Sequence, residues 1–478
     1  MSVSRYWAPC LMILLGGCAL GPDYERPEID IPASYIQPVE QGESFANMPW
    51  WDVLQDPQLQ TLIRIALKEN KDLGIAAARI EEFRAILGVT RADQFPTVDL
   101  NARGNRGDFG DVTPVPGTQE NYRLSADVFF EVDLFGKLRR ATEAARAQLL
   151  VTEEARRSIT ISLVANVAST YMLLRDLDAQ LEIARRTEKL RGESLNIIQA
   201  RFDKGIVSQL DLNQAQIELA IASVAIAAAE RNVAQSENLL SILLGRNPGP
   251  IVRGLALKEQ MIPPAIPTGL PSELLQRRPD ILSSEAQLAA QTARIGVAEA
   301  ARWPSLSLTG ALGFESNELS DLTASGSDFW TLGVDFLAPI FNAGRNSSRV
   351  EAERARTEQA LLAYQQTVLR AFSEVEDALV AVRTYRDEHA ARQRQVEAAN
   401  NAARLSRARY NGGVTSYLEV LVTEQSQFSA ELAESQTLRL YLNAIIELYK
   451  ALGGGWVAQT EVTADANVEQ VSEKSPRH

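Results

Sequence analysis

Histidine is scarce in this chain, and its scarcity excludes several kinds of chemistry. Only His389 and His478 are present, which rules out a histidine cluster and argues against a histidine-based metal site or catalytic triad. No glycine-rich loop that could bind phosphate lies between a strand and a helix. The acidic residues Glu374, Glu376 and Asp377 are close together, and we expect them to form a solvated helix face. We therefore expect no enzyme activity, no cofactor and no bound metal.

An excess of basic residues and a long apolar run are also absent. The formal net charge of −13 and the pI near 5.0 argue against a nucleic-acid partner. No run of 18 or more apolar residues follows the N-terminal segment, and by this count a membrane-spanning helix is excluded. Any passage through a bilayer is therefore expected to use β-strands.

The N-terminus has the pattern of a secretory signal peptide, predicted at residues 1–17. Arg5 precedes an apolar core, and Leu15-Gly16-Gly17-Cys18 follows. These four residues resemble a bacterial lipoprotein box, in which the cysteine is lipidated, and Ala19 resembles the sorting signal for the outer membrane. The alternative is an ordinary signal peptide with an incidental cysteine. Because Cys10 would leave with the signal, the mature chain has no possible internal disulfide.

The chain contains one pattern twice, displaced by 208 residues. Phe95-Pro96 falls on Trp303-Pro304, and the glycines at 88, 136, 205 and 245 fall on those at 296, 344, 413 and 453. Because all these positions share the same displacement, no net residues have been gained or lost between them. This predicts two equivalent halves of fixed length, as packed parallel helices require. The predicted divisions are an extended N-terminal strap at 18–57, a first repeat at 58–247, a connector at 248–270, a second repeat at 271–455 and a tail at 456–478.

Each predicted repeat begins with a helix and ends with a long helical hairpin. Apolar spacing predicts one continuous helix from Leu59 to Phe95-Pro96, with a counterpart at about 272–302. The hairpins are predicted at 137–244 and 345–452. A single helix over 137–201 would be on the order of 100 Å long, which exceeds any globular core. The long helices are therefore expected in a coiled coil or in a barrel of helices.

Between the first helix and the hairpin, the sequence alternates with a period of two. β-Hairpins are predicted at 96–133 and 304–340, with a glycine- and proline-rich loop at 104–117. In the first strand, for example, Val98 and Leu100 alternate with polar neighbours. Strands of roughly 8 to 12 residues can cross a bilayer when tilted. The alternative is a pair of soluble hairpins that lie on helices.

Four strands cannot close on themselves, and lipid does not tolerate an open sheet edge. Two copies would give about eight strands around a filled interior, whereas three copies would give about twelve strands, which can enclose a lumen. The predicted fold class is therefore mainly α with a transmembrane β-barrel. Four β-strands per protomer contribute to a 12-stranded barrel, and the internally duplicated long helical hairpins form a trimeric α-barrel.

Several short motifs carry a resemblance to a known family. They include Trp50-Trp51, Asp56-Pro57, Asp133-Leu134-Phe135-Gly136, Arg277-Arg278-Pro279-Asp280-Ile281 and Leu452-Gly453-Gly454-Gly455-Trp456. Together and in this order they resemble the outer-membrane factors of tripartite efflux pumps, the TolC-like and OprM-like channels. The resemblance implies a homotrimer in the outer membrane of a Gram-negative bacterium that extends into the periplasm. It also implies a periplasmic adaptor and an inner-membrane transporter of the RND type as partners.

The resemblance also implies roles for residues at the hairpin tips. Leu418, Glu419 and Val422 would line the periplasmic aperture, with three copies of Glu419 forming an acidic ring. Asp211 and Tyr410 would link neighbouring hairpins in the closed channel. The adaptor would contact the tips at Arg201, Gly205, Val207, Ser208, Arg409, Gly413, Thr415 and Ser416. A plain helix-helix turn is the alternative for each tip, and there glycine provides the positive φ that a tight turn needs.

The function implied by the resemblance is that of a passive exit duct for a drug efflux pump. One alternative is the exit duct of a metal-efflux or type I protein secretion system, although five methionines without a cluster argue against a copper or silver path. A second alternative, from another class, is a non-conducting, lipid-anchored coiled-coil structural protein.

Overall fold

The computed structural model describes residues 19–37, 44–108, 118–261 and 267–454. Cys18, the predicted signal peptide and the predicted tail lie outside these ranges. Within them the chain is mainly helical, with one four-stranded sheet. The predicted mixture of long helices and four strands is confirmed.

Three pairs of helices, one from each repeat, have equal lengths. In chain order the principal elements are α1 (Pro57–Glu69), α2 (Lys71–Ala92), β1 (Thr97–Asp108), β2 (Thr118–Val132), α3 (Lys137–Asp203), α4 (Gln209–Leu243), α5 (Pro279–Ala300), β3 (Ser305–Ser316), β4 (Asp328–Leu337), α6 (Arg345–Asn411) and α7 (Tyr417–Ala451). Helices α2 and α5 have 22 residues each, α3 and α6 have 67, and α4 and α7 have 35. The sequence duplication is therefore retained in the lengths of the helices.

The prediction of one continuous first helix is wrong, because Asn70 divides it. The Asn70 amide oxygen accepts the Leu73 N–H at 3.0 Å, and its amide nitrogen donates to the Leu243 carbonyl at 2.8 Å. Asparagine is a favoured N-cap residue because its side chain replaces a missing helical hydrogen bond. The apolar spacing continues in phase across Asn70, so periodicity alone could not reveal the break.

The second repeat is divided at the equivalent residue, Arg278. This buried guanidinium donates to the Ala451 carbonyl at 2.9 Å and forms an ion pair with Glu374 at 2.7 Å. Glu376 accepts the Ile36 N–H at 2.6 Å. Glu374 and Asp377 are exposed, as expected of a solvated helix face, but Glu374 and Glu376 also contact other segments of the chain.

The four strands form an antiparallel sheet in the order β1-β2-β3-β4. Thr97 pairs with Phe129 in the first hairpin, and Ser305 pairs with Leu337 in the second. The predicted loop at 104–117 begins too early, because β1 continues to Asp108. Glycines at 104 and 107 do not end the strand, since their backbones remain paired with β2.

The chain divides into two compact units. The first takes in Met1–Ile29, Ala77–Glu154 and Leu282–Thr367, and the second takes in Asp30–Ala76, Ala155–Ile281 and Val368–His478. All four strands lie in the first unit. The predicted repeats run through both units, because α3 and α6 each contribute residues to both.

The core of the second unit contains a buried carboxylate, Asp56, which is 1% exposed. Its Oδ1 caps α1 by accepting the N–H groups of Gln58 at 2.8 Å and Leu59 at 3.3 Å. Its Oδ2 accepts three further bonds at 3.0 Å, from Tyr171 Oη, Leu255 N and Gln260 Nε2. Burial raises the pKa of Tyr171 to about 12, so the phenol remains a donor at neutral pH.

Within the described ranges, one helix, α4, has the length and composition of a membrane span. Its most apolar stretch of 18 residues contains no more than two charged side chains, and most of that stretch is not buried. The exclusion of spanning helices by counting apolar runs was therefore too strict, because the alanines of α4 raise its hydropathy between isolated polar residues. A single helix that meets this criterion is weak evidence for a membrane span.

Candidate functional site

The two hairpin tips are closed by the same backbone turn. In the first tip, Gly205 has φ +70°, and the Ile206 N–H donates to the Arg201 carbonyl at 2.9 Å. In the second tip, Gly413 has φ +73°, and the Val414 N–H donates to the Arg409 carbonyl at 3.0 Å. This pattern satisfies the free carbonyls at a helix C-terminus and requires a left-handed residue. The predicted use of glycine at both tips is confirmed.

The tips differ in how the returning helix begins. Ser208 and Asp211 form a capping box at α4, with the Asp211 N–H donating to Ser208 Oγ at 3.2 Å and the Ser208 N–H donating to Asp211 Oδ2 at 3.1 Å. Ser416 begins α7 without a side-chain cap. Glu419, at the position equivalent to Asp211, instead accepts from Thr415 Oγ1 and lies 3.5 Å from Arg409 Nε. The second tip therefore has a carboxylate that is not used for capping.

An apolar cluster lies directly beneath the tips. Ile198, Leu212, Ala215, Tyr417, Val420 and Leu421 are buried in it, and Val207, Phe202 and Tyr410 pack against it. The rings of Tyr410 and Tyr417 are 5.4 Å apart, and the Arg201 guanidinium lies 5.0 Å from the centre of the Tyr410 ring. Burial raises the pKa of Tyr417 to about 12. This cluster joins α3, α4 and α7 at the point where the turns begin.

The predicted link between Asp211 and Tyr410 is not formed within the described part of one chain. Asp211 is occupied by the capping box, and the Tyr410 hydroxyl is buried without a hydrogen-bond partner there. A link between hairpins of neighbouring copies stays a prediction.

The three predicted aperture residues lie on the first two turns of α7. Leu418 is 55% exposed and Val422 is 58% exposed, and their spacing of four places them on one helix face. Glu419 is adjacent to this face, and 41% of its side chain is exposed. All three are available for contact with other molecules.

Sequence reasoning missed Arg191, a buried arginine above the tip cluster. Its guanidinium donates to the Glu218 carbonyl at 2.7 Å and to Gln425 Oε1 at 2.9 Å, and it also lies 2.7 Å from the Glu218 carboxylate. Burial lowers the pKa of Arg191 from its usual value, and Glu218 opposes this effect. No sequence signal distinguishes it from exposed arginines such as Arg185, because its partners lie on α4 and α7.

We expect that Arg191→Met will destabilise the tip region by about 3 kcal/mol, because Glu218 would keep a partly buried charge without its partner. Hydrogen exchange of the amides in the tip cluster would measure the change. The matched control is Arg185→Met, since Arg185 and Glu230 form an exposed pair of little energetic value. Equal protection in the two variants would contradict the assigned role of Arg191.

One face of the sheet in the first unit carries an apolar band, which ends towards the loop ends of the strands at Arg106, Glu120 and Asp328. The strand register places on it Val98, Leu100, Ala102, Leu124, Ala126, Val128, Phe130, Leu306, Leu308, Gly310, Leu312, Trp330, Leu332, Val334 and Phe336. Trp330 is 71% exposed and Leu332 is 82% exposed. The other face carries most of the polar residues, including Asp99, Arg103 and Asp335. A continuous exposed apolar face on a sheet is typical of contact with lipid.

A sequence profile described as outer membrane efflux protein matches residues 62–246 and again residues 270–454. The chain belongs to the outer membrane efflux protein family. The two matches are displaced by 208 residues at each end (270 less 62, and 454 less 246), which confirms the internal duplication.

Individual members of the outer membrane efflux protein family are similar over nearly the whole chain. The solvent efflux pump outer membrane protein SrpC of Pseudomonas putida is 36% identical over 456 residues, which is 93% of this chain and 97% of SrpC. The cation efflux system protein CusC of Escherichia coli K12 is 35% identical over 465 residues, which is 95% of this chain and 100% of CusC. The open-state crystal structure of the Neisseria gonorrhoeae MtrE outer membrane channel superposes with a TM-score of 0.83 at 32% identity, covering 92% of this chain and 98% of that one.

These similarities confirm the family that the sequence motifs indicated, together with the predicted fold class. They also confirm the function of an outer-membrane efflux channel and the location in the outer membrane of a Gram-negative bacterium. Among the residues that the structure describes, no three histidine, cysteine or acidic side chains are grouped so as to hold a metal ion. The lipidation of Cys18 and the individual roles of the tip residues stay predictions.

Proposed function

We propose that three copies of this chain form the passive exit duct of a tripartite drug efflux pump, without catalytic activity of their own. The sheet carries the proposal, because its apolar face suits lipid and its two outer edges need partners. Three copies would supply a barrel of about twelve strands, which is wide enough for a lumen. The 67-residue helices α3 and α6 would extend the duct into the periplasm.

The proposed partners are a periplasmic adaptor and an inner-membrane transporter of the RND type. The adaptor would contact the hairpin tips at the eight residues predicted above. The exposure of Val414 and Ile206, at 71% and 67%, supports a tip surface that another protein covers. Leu418, Glu419 and Val422 would line the aperture, and the link between Asp211 and Tyr410 would hold it closed.

A channel recording tests the proposed function directly. Purified protein in a planar bilayer should conduct ions as a trimer, whereas a structural coiled-coil protein should not. A preparation that inserts into the bilayer and never conducts would contradict the proposal.

A cation efflux duct is the second candidate, favoured by the 35% identity to CusC. The susceptibility of a deletion strain separates the two candidates. Sensitivity to antibiotics and solvents supports the drug duct, whereas sensitivity confined to copper and silver salts supports the cation duct.

Lipidation at Cys18 is a further part of the proposal, supported by the position of the residues that follow it. The Leu20 N–H donates to the Phe135 carbonyl at 3.1 Å, and Arg140 holds the Leu20 carbonyl at 3.1 Å. A Cβ on Gly136 would lie 2.6 Å from Ala19 Cα, so only glycine permits this approach. The chain next to Cys18 is therefore fixed close to the end of β2.

We expect that Cys18→Ser will abolish incorporation of labelled fatty acid and leave the single-channel conductance unchanged, because the sheet rather than the acyl chain forms the pore. Metabolic labelling and planar-bilayer recording would measure the two quantities. Cys10→Ser is the control and should retain the label. Labelling that persists in Cys18→Ser would show that the lipid is attached elsewhere.

A further inference from the structure

The outer edges of β1 and β4 have no strand beside them in the part of the chain that the structure describes. These edges are 12 and 10 residues long, and their backbone groups must be paired if the sheet lies in a bilayer. The proposed trimer supplies a partner for each edge, and the following inference rests on that proposal. The open question is which residues of the two edges stand opposite each other.

The duplication of the chain extends to the strand register. Thr97 pairs with Phe129, and moving both by 208 residues gives Ser305 with Leu337, which is the observed pair in the second hairpin. The offset therefore holds along the strands as well as along the helices. The pairing of β2 with β3 joins the two repeats within one chain. The equivalent pairing, of β4 with β1, is not formed within the described part of one chain.

We propose that β4 of one copy pairs with β1 of the next copy in the register of the seam between β2 and β3. At that seam Asp127 stands opposite Ala311, and Phe129 stands opposite Thr309. In each of these pairs, the β2 residue is replaced by the β4 residue 208 positions later, and the β3 residue by the β1 residue 208 positions earlier. The resulting pairs are those proposed between neighbouring copies. Asp335 then stands opposite Arg103 of the next copy, and Leu337 stands opposite Asn101 of the next copy.

The exposure of the edge residues supports this equivalence. Val132 and Leu306 pair at the inner seam and are both partly buried there. Their counterparts at the outer edges are Ile340, which is 96% exposed, and Val98, which is 67% exposed. At these two positions the side chain is more exposed where a neighbouring strand is missing. The proposed pairing would extend past the end of β4 at Leu337 to reach Ile340.

The charges at the edges support the same register. Arg103 stands directly opposite Arg123 on the polar face, and like charges in that position are destabilising. Arg123 has acidic neighbours at 3.9 Å, Asp127 and Glu315, whereas no acidic side chain contacts Arg103 within the described ranges. Asp335 receives one long bond, from Thr309 Oγ1 at 3.5 Å. In the proposed register, Asp335 becomes the missing counter-charge for Arg103.

Disulfide cross-linking tests the register. Asn101→Cys combined with Leu337→Cys should give covalent dimers and trimers on non-reducing gels, because directly opposed residues lie about 5 Å apart. Asn101→Cys combined with Asp335→Cys is displaced by two residues and should cross-link about tenfold less, because its separation of about 7 to 8 Å exceeds disulfide geometry. Thr309→Cys with Phe129→Cys is the matched control at the inner seam and should form its disulfide within one chain.

A charge exchange provides a second measurement. Asp335→Arg places a second arginine opposite Arg103 of the next copy and should lower the temperature at which the detergent-solubilised trimer dissociates, whereas within its own chain position 335 faces the uncharged Ser307. Arg103→Asp combined with Asp335→Arg restores opposite charges and should recover most of that loss. A double variant that dissociates at the same temperature as the Asp335→Arg variant would overturn the proposed pair.

The outcomes distinguish the register from the duct itself. Stronger cross-linking of the displaced pair, in a protein that still conducts, would overturn the register and leave the trimeric duct intact. Cross-linking at the inner seam without any covalent oligomer, in a protein that does not conduct, would overturn both. Preferential cross-linking of the opposed pair would support the proposal.

Discussion

Replacing Asp56 by alanine is expected to lower the free energy of unfolding by about 3 to 5 kcal/mol, because five hydrogen-bond donors lose their acceptor in a buried site. Two of these donors are the N–H groups that Asp56 caps at the start of α1, and loss of a cap alone costs about 1 kcal/mol. The other three belong to Tyr171, Leu255 and Gln260. The thermal midpoint of helical circular dichroism in detergent would measure the effect.

Asp52→Ala provides the control for this prediction. Asp52 is an exposed acid on the short helix that precedes α1, and its removal should change stability by no more than about 0.5 kcal/mol. Asp56→Asn should fall between the two, because asparagine can still cap the helix while its amide group replaces one acceptor with a donor. A thermal midpoint of Asp56→Ala equal to that of Asp52→Ala would show that the network is dispensable.

Neutralising Glu419 is expected to produce the largest change in conduction. In the proposed trimer, three carboxylates surround the aperture and favour cations over anions. Glu419→Gln keeps the shape of the side chain and removes the charge, so the ratio of potassium to chloride permeability should fall roughly threefold or more. Reversal potentials in planar bilayers under a salt gradient would measure this ratio.

The ion pair with Arg409 does not complicate this experiment greatly. Its two side chains are 56% and 41% exposed at 3.5 Å, so its loss should cost at most about 1 kcal/mol. Glu447→Gln is the matched control, because Glu447 is a half-exposed carboxylate near the other end of α7, paired with Lys450 at 3.0 Å. A selectivity that falls equally in both variants would place the filter elsewhere, and an unchanged selectivity in Glu419→Gln would remove this residue from the aperture.

The tips show how far the sequence could predict the candidate site. Gly205 and Gly413 were correctly predicted as turn residues, because a left-handed backbone leaves little alternative to glycine. The different engagement of Asp211 and Glu419 could not be predicted from their equivalent positions. A capping box needs the aspartate to reach the backbone of Ser208, whereas the longer glutamate reaches Thr415 and Arg409 instead.

The buried polar groups were beyond sequence reasoning for a similar reason. Asp56-Pro57 is recognisable as a helix start and Arg191 has ordinary local sequence, but the burial of both side chains depends on partners up to 204 and 234 residues away. Periodicity describes which face of a helix is apolar, but it does not state which polar side chain a neighbouring segment will satisfy.

The sequence by itself determined the duplication, the long helices, the alternating strands and the turns at the tips. These features depend on local chemistry: the absence of proline and glycine over long stretches, a period of two in the strands, and glycine at positive φ. In the second repeat the break has a local cause, because Pro279 disfavours helical backbone at Arg278. Only the tertiary structure decided the break in the first repeat, which has no proline there. Asn70 bonds to the carbonyl of Leu243, 173 residues later, and this contact exists only once the chain has packed.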